Sequence, residues 1–398
     1  MKKTLYGSLV WLIVTLFVVY SFCLNTAAAV FAGPIQTTLH ASHFGVSIAV
    51  GAFIIGFALM QIPAGYLLDK YNARLVVSSG VLILAIGNIM TSFTTNIVLF
   101  SISNFIQGLG ASFAFIAAGV IISQWFSSRL FPVLFGLTQT LSCILAAIIH
   151  YVFSVALTTH SWNEIYKILA VLGAILFILT LILVKTPSDY VRTESISLKK
   201  SLGIVFKNRQ IILCALAATT SFGTLLAYAG FWYLNIQTFY SVEMLDAVAI
   251  SGMLFIGVGI GTPILGWISN KVKSRKSVIH VTLCLGTMFL LMCLYLPHYQ
   301  IKTLAIIKTV SLLTGFLLSG SMLFYTVVSE ISSNQTRGVA LSVTNTGVFL
   351  FNTLMMFIPS VFVTTASPLF FTYLWLLPFF IIISILLTYF IRDSFKEQ

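Results

Sequence analysis

The sequence predicts an all-α polytopic membrane protein, with twelve transmembrane helices in two pseudo-symmetric six-helix bundles. Its composition, the spacing of its apolar runs and the placement of its basic residues each point to this fold. Only 8% of the 398 residues are charged and 59% are hydrophobic, whereas soluble proteins carry about 25% charged residues. Because so little charge cannot cover a water-facing surface, we expect lipid to be the solvent of this chain.

Apolar runs of the length needed to cross a bilayer, about 20 residues, recur from Leu5 to Ile391. The first run, which follows two lysines, also resembles a signal peptide, but it is long enough to span and further spans follow. Polar breaks give twelve predicted spans: 8–32, 44–68, 75–94, 98–122, 132–157, 165–185, 210–234, 245–269, 277–297, 303–328, 338–363 and 368–391. The predicted domains are an N-terminal six-helix bundle (1–185), a cytoplasmic linker (186–209) and a C-terminal six-helix bundle (210–398).

Basic residues orient the predicted spans. If the N-terminus is cytoplasmic, every Lys and Arg except Lys167, Lys302 and Lys308 falls in a cytoplasmic break or terminus. This is the asymmetry of the positive-inside rule, so we expect both termini in the cytoplasm. We therefore interpret the net charge of +12 as topology and expect the lipid bilayer, with no nucleic acid, as partner. The five cysteines have no metal-ligand spacing, and neither a metal nor a cofactor is expected.

The two halves of the chain are related to each other. At a shift of 201 residues, a set of glycines and one arginine recurs: Gly51, Gly56, Gly65 and Arg74 match Gly252, Gly257, Gly266 and Arg275. A second match, at a shift of 206, aligns residues 138–140 with 344–346. Related six-span halves are typical of secondary transporters, in which two bundles rock around a site at their interface. Small residues favour such motion because they let helices approach closely.

The most specific motif lies at the end of span two. It resembles the signature loop of the major facilitator superfamily, Gly-x-Leu-x-Asp-Arg-x-Gly-Arg-Arg, with Asn72 where the family has its second glycine. The matching residues are Gly65, Asp69, Lys70 and Arg74. A degenerate copy occupies 266–275, where Asn270 replaces the aspartate. The resemblance extends over essentially the whole chain and implies a multi-pass transporter of the bacterial inner membrane that works by alternating access.

The resemblance also implies that this loop closes a cytoplasmic gate. Asp69 is expected near the start of span eleven, just after Arg337, because a helix N-terminus favours an anion. Asn270 is expected to accept a hydrogen bond near span five, without charge. Glu330 is expected to pair with Arg275 or Arg337; solvated loop charges are the alternative. The predicted gating residues are Gly65, Asp69, Arg74, Gly266, Asn270, Arg275, Glu330 and Arg337.

The sequence departs from the family at positions that are associated with coupling transport to protons. Asn104 stands where the span-four motif Arg-x-x-Gln-Gly-x-Gly-Ala has its arginine, which the family associates with proton coupling. The Gly-Pro motif of drug antiporters is absent from span five, and none of the nine acidic residues lies in the middle of a predicted span. His150 is the possible proton site because imidazole titrates near neutral pH; a structural histidine is the alternative.

Lys308 is the leading candidate for a substrate contact. It is expected about six residues into span ten, and a charge at such depth usually faces a cavity or a partner. Its ammonium would bind a carboxylate or phosphate; the alternative is that the flexible side chain extends to the membrane interface. The other predicted substrate-binding residues are Tyr20, Asn25, Asn104, Gln107, Tyr228, Trp232 and Asn345. Each amide among them is also suited to bridging helices.

The predicted function is secondary active transport of a small polar solute, such as an amino acid, peptide, organic acid or carboxylate siderophore, with uptake preferred. Efflux of drugs or of a secreted metabolite is one alternative, and a non-transporting membrane receptor is another. No His-Glu-x-x-His motif, Gly-x-Ser-x-Gly motif or pair of intramembrane acids occurs, so the protein is predicted not to be an enzyme. Expected partners are a small-molecule substrate and a coupling ion, H⁺ or Na⁺, bound by a monomer.

Overall fold

A computed structural model describes residues 2–188, 190, 196–232, 236, 240–299, 303–362 and 369–395. All regular elements in these ranges are helical, and long helices lie at the predicted spans, whose numbers we keep. Spans one to six are Lys2–Val30, His43–Lys70, Ala73–Ser92, Ile97–Trp125, Phe131–Ala156 and Trp162–Leu183. Spans seven to twelve are Arg209–Ala227, Met244–Lys271, Arg275–Tyr295, Leu304–Leu318 with Leu323–Ile331, Arg337–Phe362, and Leu369–Tyr373 with Leu376–Phe390.

These helices have the dimensions of membrane spans. Within the described ranges, 11 helices are long and apolar enough to cross a membrane. Span five adds a shorter apolar stretch, Phe131–Leu145, within a helix that continues to Ala156. Shorter helices follow span one at Ala32–Thr38 and occupy the linker at Leu198–Lys207. The predicted all-α, twelve-helix membrane fold is confirmed.

Polar side chains set where several spans begin. Asn72, which replaces the family's second glycine, is the N-cap of span three. Its Oδ1 accepts a hydrogen bond of 3.0 Å from the backbone N–H of Arg74 and so satisfies an amide that the first helical turn leaves unpaired. Ser161 and Glu164 form a complete capping box at the start of span six. The departure at Asn72 therefore replaces a flexible residue with a helix cap.

The chain divides into two compact units. The first contains Met1–Ser127, Leu141–Gly203 and Ser333–Ser342, and the second contains Ser128–Thr140, Ile204–Ser332 and Val343–Gln398. The beginning of span five thus belongs to the second unit, and the beginning of span eleven belongs to the first. The division into domains 1–185, 186–209 and 210–398 stays a prediction.

Glycines bring spans two and four together in the first unit. A Cβ atom at Gly56 would collide with the carbonyl oxygen of Phe105, and one at Gly108 would collide with that of Phe53. The backbones of the two helices are therefore in direct contact, which a larger residue at either glycine would prevent. Such close approach favours dispersion contacts between helices, the main attraction available in lipid.

The second unit repeats this contact between spans eight and ten. A Cβ atom at Gly257 would meet the carbonyl oxygen of Leu312, and one at Gly315 would meet that of Leu254. The repeat-related glycines Gly56 and Gly257 thus each allow two helices of their own unit to come into backbone contact. The repeat-related pair Gly51 and Gly252 has no such role, since a Cβ atom at either position would have nothing within 4 Å.

We expect Gly56→Ala to lower the free energy of unfolding by about 1–3 kcal/mol, because the added methyl forces the packed helices apart. Gly51→Ala is the matched control, since it adds the same methyl to the same helix where there is open space, and it should be neutral or stabilising. Thermal unfolding of the detergent-purified variants measures both. Equal destabilisation by the two substitutions would contradict the packing role of Gly56.

Candidate functional site

The carboxylate of Asp69 caps the start of span eleven within the first unit. Its Oδ1 accepts a hydrogen bond of 2.7 Å from the backbone N–H of Gly338, and its Oδ2 accepts one of 3.0 Å from that of Val339. A helix N-terminus leaves such amides unpaired, and the helix dipole adds attraction for the negative charge. One side chain at the end of span two therefore holds the beginning of span eleven.

Two glycines make this contact possible. A Cβ atom at Gly65 would collide with the backbone carbonyl of Gly338 and with the hydroxyl of Ser342. In turn, a Cβ atom at Gly338 would collide with the carbonyl of Gly65 and would lie 2.9 Å from Oδ1 of Asp69. Because the two backbones touch, a side chain as short as aspartate reaches the amides of the neighbouring helix.

A small polar cavity of about 10 Å³ lies beside this contact. That volume accommodates about one water molecule. The residues that line it are Leu68, Asp69, Val120, Ser123, Gln124, Tyr190, Asn334 and Arg337. The predicted gating residues Asp69 and Arg337 thus share one pocket, and Tyr190 of the linker joins them.

Asn270 holds the corresponding position in the second unit, but its amide donates where the sequence predicted that it accepts. Its Nδ2 donates a hydrogen bond of 2.7 Å to the carbonyl oxygen of Arg129, just before span five. Its Oδ1 accepts one of 2.7 Å from Nη1 of Arg275. The side chain therefore links span five to Arg275 without contributing charge.

Pro132 explains why an amide fits at position 270. A Cβ atom at Gly266 would lie 2.9 Å from the carbonyl of Pro132, so Pro132 has the place beside Gly266 that Gly338 has beside Gly65. Proline has no backbone N–H, so span five lacks the amide that span eleven offers at this place. The acceptor nearby is the carbonyl of Arg129, to which the amide of Asn270 donates and to which a carboxylate could not.

Arg275 lies at the centre of a buried polar cluster in the second unit. Its Nη2 is 2.9 Å from Oε1 of Glu330, with the two side chains 1% and 7% exposed. Nη1 also donates to the hydroxyl of Ser269 at 2.6 Å, and the backbone N–H donates to Oδ1 of Asp393 at 3.0 Å. Ser394 donates its hydroxyl to Glu330. Of the two partners predicted for Glu330, the structure shows Arg275.

Arg74 makes a contact that the sequence did not indicate. Its Nε donates a hydrogen bond to a carbonyl oxygen at the end of span six, where the last carbonyls of a helix have no partner within it. Side chains from spans one and four donate hydrogen bonds to the neighbouring carbonyl oxygens. The three pairs are Arg74 with Val184 at 3.1 Å, Tyr6 with Leu183 at 2.8 Å, and Trp125 with Lys185 at 2.9 Å.

Two predicted substrate-binding residues of the first unit belong to buried networks between helices. The hydroxyl of Tyr20 donates to the carbonyl of Leu169 at 2.7 Å and accepts from Nδ2 of Asn88 at 2.5 Å. Gln107 donates from Nε2 to the hydroxyl of Thr91 at 2.6 Å. Both sets of hydrogen bonds bridge helices, which for Gln107 is the alternative that the sequence left open.

Asn104 and Asn25 differ from this pattern. Asn104 is fully buried, and its Nδ2 donates to the carbonyl of Phe100 in the same helix at 2.9 Å. Its Oδ1 has no hydrogen-bond partner among the described residues, and the same holds for Oε1 of Gln107. Asn25 is exposed. The buried amide oxygens of Asn104 and Gln107 are hence available to accept hydrogen bonds, and both residues lie on span four.

In the second unit, Tyr228 and Trp232 lie in a π-helical turn that continues span seven, Tyr228–Trp232. The indole N–H of Trp232 donates to the carbonyl of Met355 in span eleven at 2.9 Å. Asn345 accepts a hydrogen bond of 2.8 Å from the hydroxyl of Tyr325. Because π-helical turns occur frequently at functional sites, the local geometry distinguishes this part of span seven from an ordinary helix.

Lys308 is half-buried in span ten. In the described part of the chain, no carboxylate lies within salt-bridge distance of its ammonium; the carboxylates at such distance from a basic side chain are Glu330, beside Arg275, and Glu164, beside the imidazole of His160. Span ten is interrupted further on by a 3₁₀ turn at Ser319–Met322.

His150, the predicted proton site, lies in the helix of span five, but its side chain is outside the described residues.

Removing one partner of a buried ion pair costs about 3–5 kcal/mol, because the remaining charge loses its compensation. We therefore expect Glu330→Gln to lower the free energy of unfolding by about that amount. The control is Glu243→Gln, an exposed N-terminal residue of span eight whose side chain makes no capping hydrogen bond. Chemical unfolding in detergent compares the two, and equally small losses would refute the structural importance of the Arg275 cluster.

Comparison with known proteins agrees with this architecture. The proton:xylose symporter XylE, bound to 6-bromo-6-deoxy-D-glucose, superposes with a TM-score of 0.76 at 13% identity, covering 98% of this chain and 97% of that one. The transporter FucP, in the outward conformation, gives a TM-score of 0.75 at 17% identity, with coverage of 96% and 98%. Both likenesses concern the fold alone.

A sequence relative is the multidrug resistance protein MdtL of Escherichia coli O45:K1 (strain S88 / ExPEC), 24% identical over 239 residues. The match spans 58% of this chain and 59% of MdtL, so it covers less than two thirds of that relative. The family model described as Major Facilitator Superfamily matches residues 12–354. This match extends over most of the spans and both copies of the loop motif, and the chain belongs to the Major Facilitator Superfamily of membrane transporters.

Proposed function

We propose that this protein takes up a small anionic or zwitterionic solute by secondary active transport. The observation that carries the proposal is Lys308, a half-buried cation in a membrane span with no carboxylate partner in the described ranges. A charge at such depth is costly unless it faces a cavity or a partner. A substrate carboxylate or phosphate would supply that partner, and amino acids, peptides, organic acids and carboxylate siderophores all carry one.

The shape of the second unit's helices supports a site on spans seven and ten. The π-helical turn at Tyr228–Trp232 and the 3₁₀ turn at Ser319–Met322 both interrupt regular helix. Interrupted helices free backbone groups for a ligand and are a feature of substrate sites in transporters. Tyr228 and Trp232 would add an aromatic wall, which suits an organic solute better than a bare inorganic ion.

We propose that the Asp69 contact is the latch of the cytoplasmic gate. Alternating access moves one predicted bundle against the other, and this would require the two hydrogen bonds to Gly338 and Val339 to break. Hydrogen bonds to a charged group contribute about 1.5–3 kcal/mol each. A latch of that strength is large enough to bias the conformational equilibrium and small enough to open during turnover.

Drug efflux is the second candidate, and the likeness to MdtL, which is named for multidrug resistance, favours it. A polyspecific efflux site for lipophilic cations would need an acceptor of positive charge. None of the nine acidic residues lies in the middle of a predicted span, which favours the anionic substrate.

Thermal stability against a metabolite library tests the substrate class. A ligand at about 100 times its Kd should stabilise the fold by about 2.7 kcal/mol. Anionic or zwitterionic metabolites should stabilise the wild type but not Lys308→Ala. The control is Lys167→Ala, which removes another lysine, one that lies over the ring of Phe93, and should leave the response intact. Stabilisation only by lipophilic cations, or an unchanged response of Lys308→Ala, would favour efflux.

The latch is tested by Asp69→Asn in a variant whose native cysteines are alanine and whose Ser342 is cysteine. Position 342 lies against Gly65 in the closed contact, so labelling by a maleimide from the cytoplasmic side reports its opening. The substituted amide has a single acceptor oxygen, so it would keep at most one of the two contacts and lose the charge. We therefore expect labelling to accelerate several-fold. Asp246→Asn, at the start of span eight, should leave the rate unchanged; equal rates in both variants would count against the latch.

A further inference from the structure

A basic cleft of about 480 Å³ opens at the ends of spans seven and twelve, within the second unit. Its lining residues are Lys207, Asn208, Arg209, Gln210, Phe390 and Arg392. The three cations come from three segments: the end of the linker helix, the start of span seven and the chain just beyond span twelve. No lining residue is acidic, so the cleft concentrates positive charge from separate parts of the chain.

The hydrogen bonds that stabilise the walls of the cleft do not involve the three cationic side chains. Gln210 donates from Nε2 to the carbonyl of Phe390 at 3.3 Å and accepts at Oε1 from the backbone N–H of Arg392 at 2.8 Å. Asn208 caps span seven through the backbone N–H of Gln210 at 3.0 Å. Across the described ranges, none of the three cations forms a salt bridge. The scaffold is thus fixed by amides, and the cations have no internal counter-charge.

An exposed aromatic ring lines the cleft: Phe390 is 61% exposed. Phe206, the residue before Lys207 in the linker helix, is also 58% exposed. Span seven begins at Arg209 and span twelve ends at Phe390, so the cleft lies where the apolar part of each span stops. At this level a membrane changes from acyl chains to headgroups, and cations beside aromatic rings match both layers.

The linker helix Leu198–Lys207 is consistent with such a position. Ser201 and Val205 are buried against the protein, while the exposed side chains include the apolar Ile204 and Phe206 as well as Lys199 and Lys200. Basic amphipathic helices typically lie along a membrane surface, where anionic lipids attract them. The helix would therefore bring Lys207 to the headgroup level.

We propose that this cleft binds the headgroup of an anionic phospholipid, with its phosphate among Lys207, Arg209 and Arg392 and its acyl chains along Phe390. The predicted orientation puts the cleft on the cytoplasmic leaflet, where basic pockets between helices bind anionic headgroups. The site is separate from the proposed substrate site and does not depend on what the protein transports. A soluble phosphate would use the cations but would gain nothing from the exposed rings.

Native mass spectrometry of the delipidated full-length protein, offered equal amounts of phosphatidylglycerol and phosphatidylcholine, tests the proposal. Wild type should retain phosphatidylglycerol preferentially. Arg392→Gln should lower the preference about fivefold, the effect of one cation near an anionic lipid surface, and the triple variant K207Q/R209Q/R392Q should abolish it. The matched control, K185Q/K271Q/K273Q, removes three exposed cations of the predicted cytoplasmic side that belong neither to the cleft nor to the linker helix and should keep the preference within about twofold of wild type, because contacts in the cleft dominate over distant screened charges.

Three results would overturn the proposal. Equal losses in both triple variants would indicate diffuse attraction rather than a site, and a wild type without preference would exclude the site. Displacement of phosphatidylglycerol by millimolar inorganic phosphate would identify a soluble-anion site instead. Because the backbone contacts of Gln210 do not use the substituted side chains, the variants should fold; thermal unfolding checks this, and Arg392→Gln alone carries the test if the triple variant is unstable.

Discussion

The hydrogen bonds from the start of span eleven to the Asp69 carboxylate are the interaction on which the rest of the arrangement depends. In lipid, a helix satisfies its backbone internally except at its ends, so strong polar contacts between spans concentrate there. Asp69 and Arg74 act on such ends, each on a group that its helix terminus leaves unpaired, and Asn270 donates to the carbonyl of Arg129 just before span five. The glycines at 65 and 338 matter because they let the backbones touch, which places the carboxylate within reach.

The two copies of the loop motif have diverged in a chemically consistent way. Span eleven offers the N–H of Gly338 to a carboxylate, whereas span five has Pro132, which lacks an N–H, at the equivalent place, and the carbonyl of Arg129 just before the helix accepts from an amide. The change from aspartate to asparagine at position 270 therefore follows its partner rather than weakening a copy of the motif. Charge in the second unit lies instead in the buried pair of Arg275 and Glu330, which is held by serine and aspartate side chains around it.

The cations discussed above fall into three groups according to the partner of their positive charge. Arg275 is buried and compensated by Glu330, while Arg74 donates to a carbonyl at a helix C-terminus, whose dipole favours a cation. Lys308 and the cations of the basic cleft have no carboxylate partner among the described residues. Since an uncompensated charge in or beside a membrane is costly, the last group marks the places where a partner from outside the chain, a substrate or a lipid, is most favourable.

The sequence by itself determined the helices and their approximate limits, because a local run of about 20 apolar residues is enough to identify a membrane span. It also determined the family, because the residues of the loop motif are contiguous in the chain. The resemblance of the loop motif to the family also predicted Asp69 near the start of span eleven, where a helix N-terminus favours an anion. Only the tertiary structure decided that Glu330 pairs with Arg275, that Asn270 donates, and that Tyr20 and Gln107 bridge helices. These outcomes depend on the rotation and spacing of helices far apart in the chain, where a shift of about one residue, 1.5 Å along a helix, changes the partner.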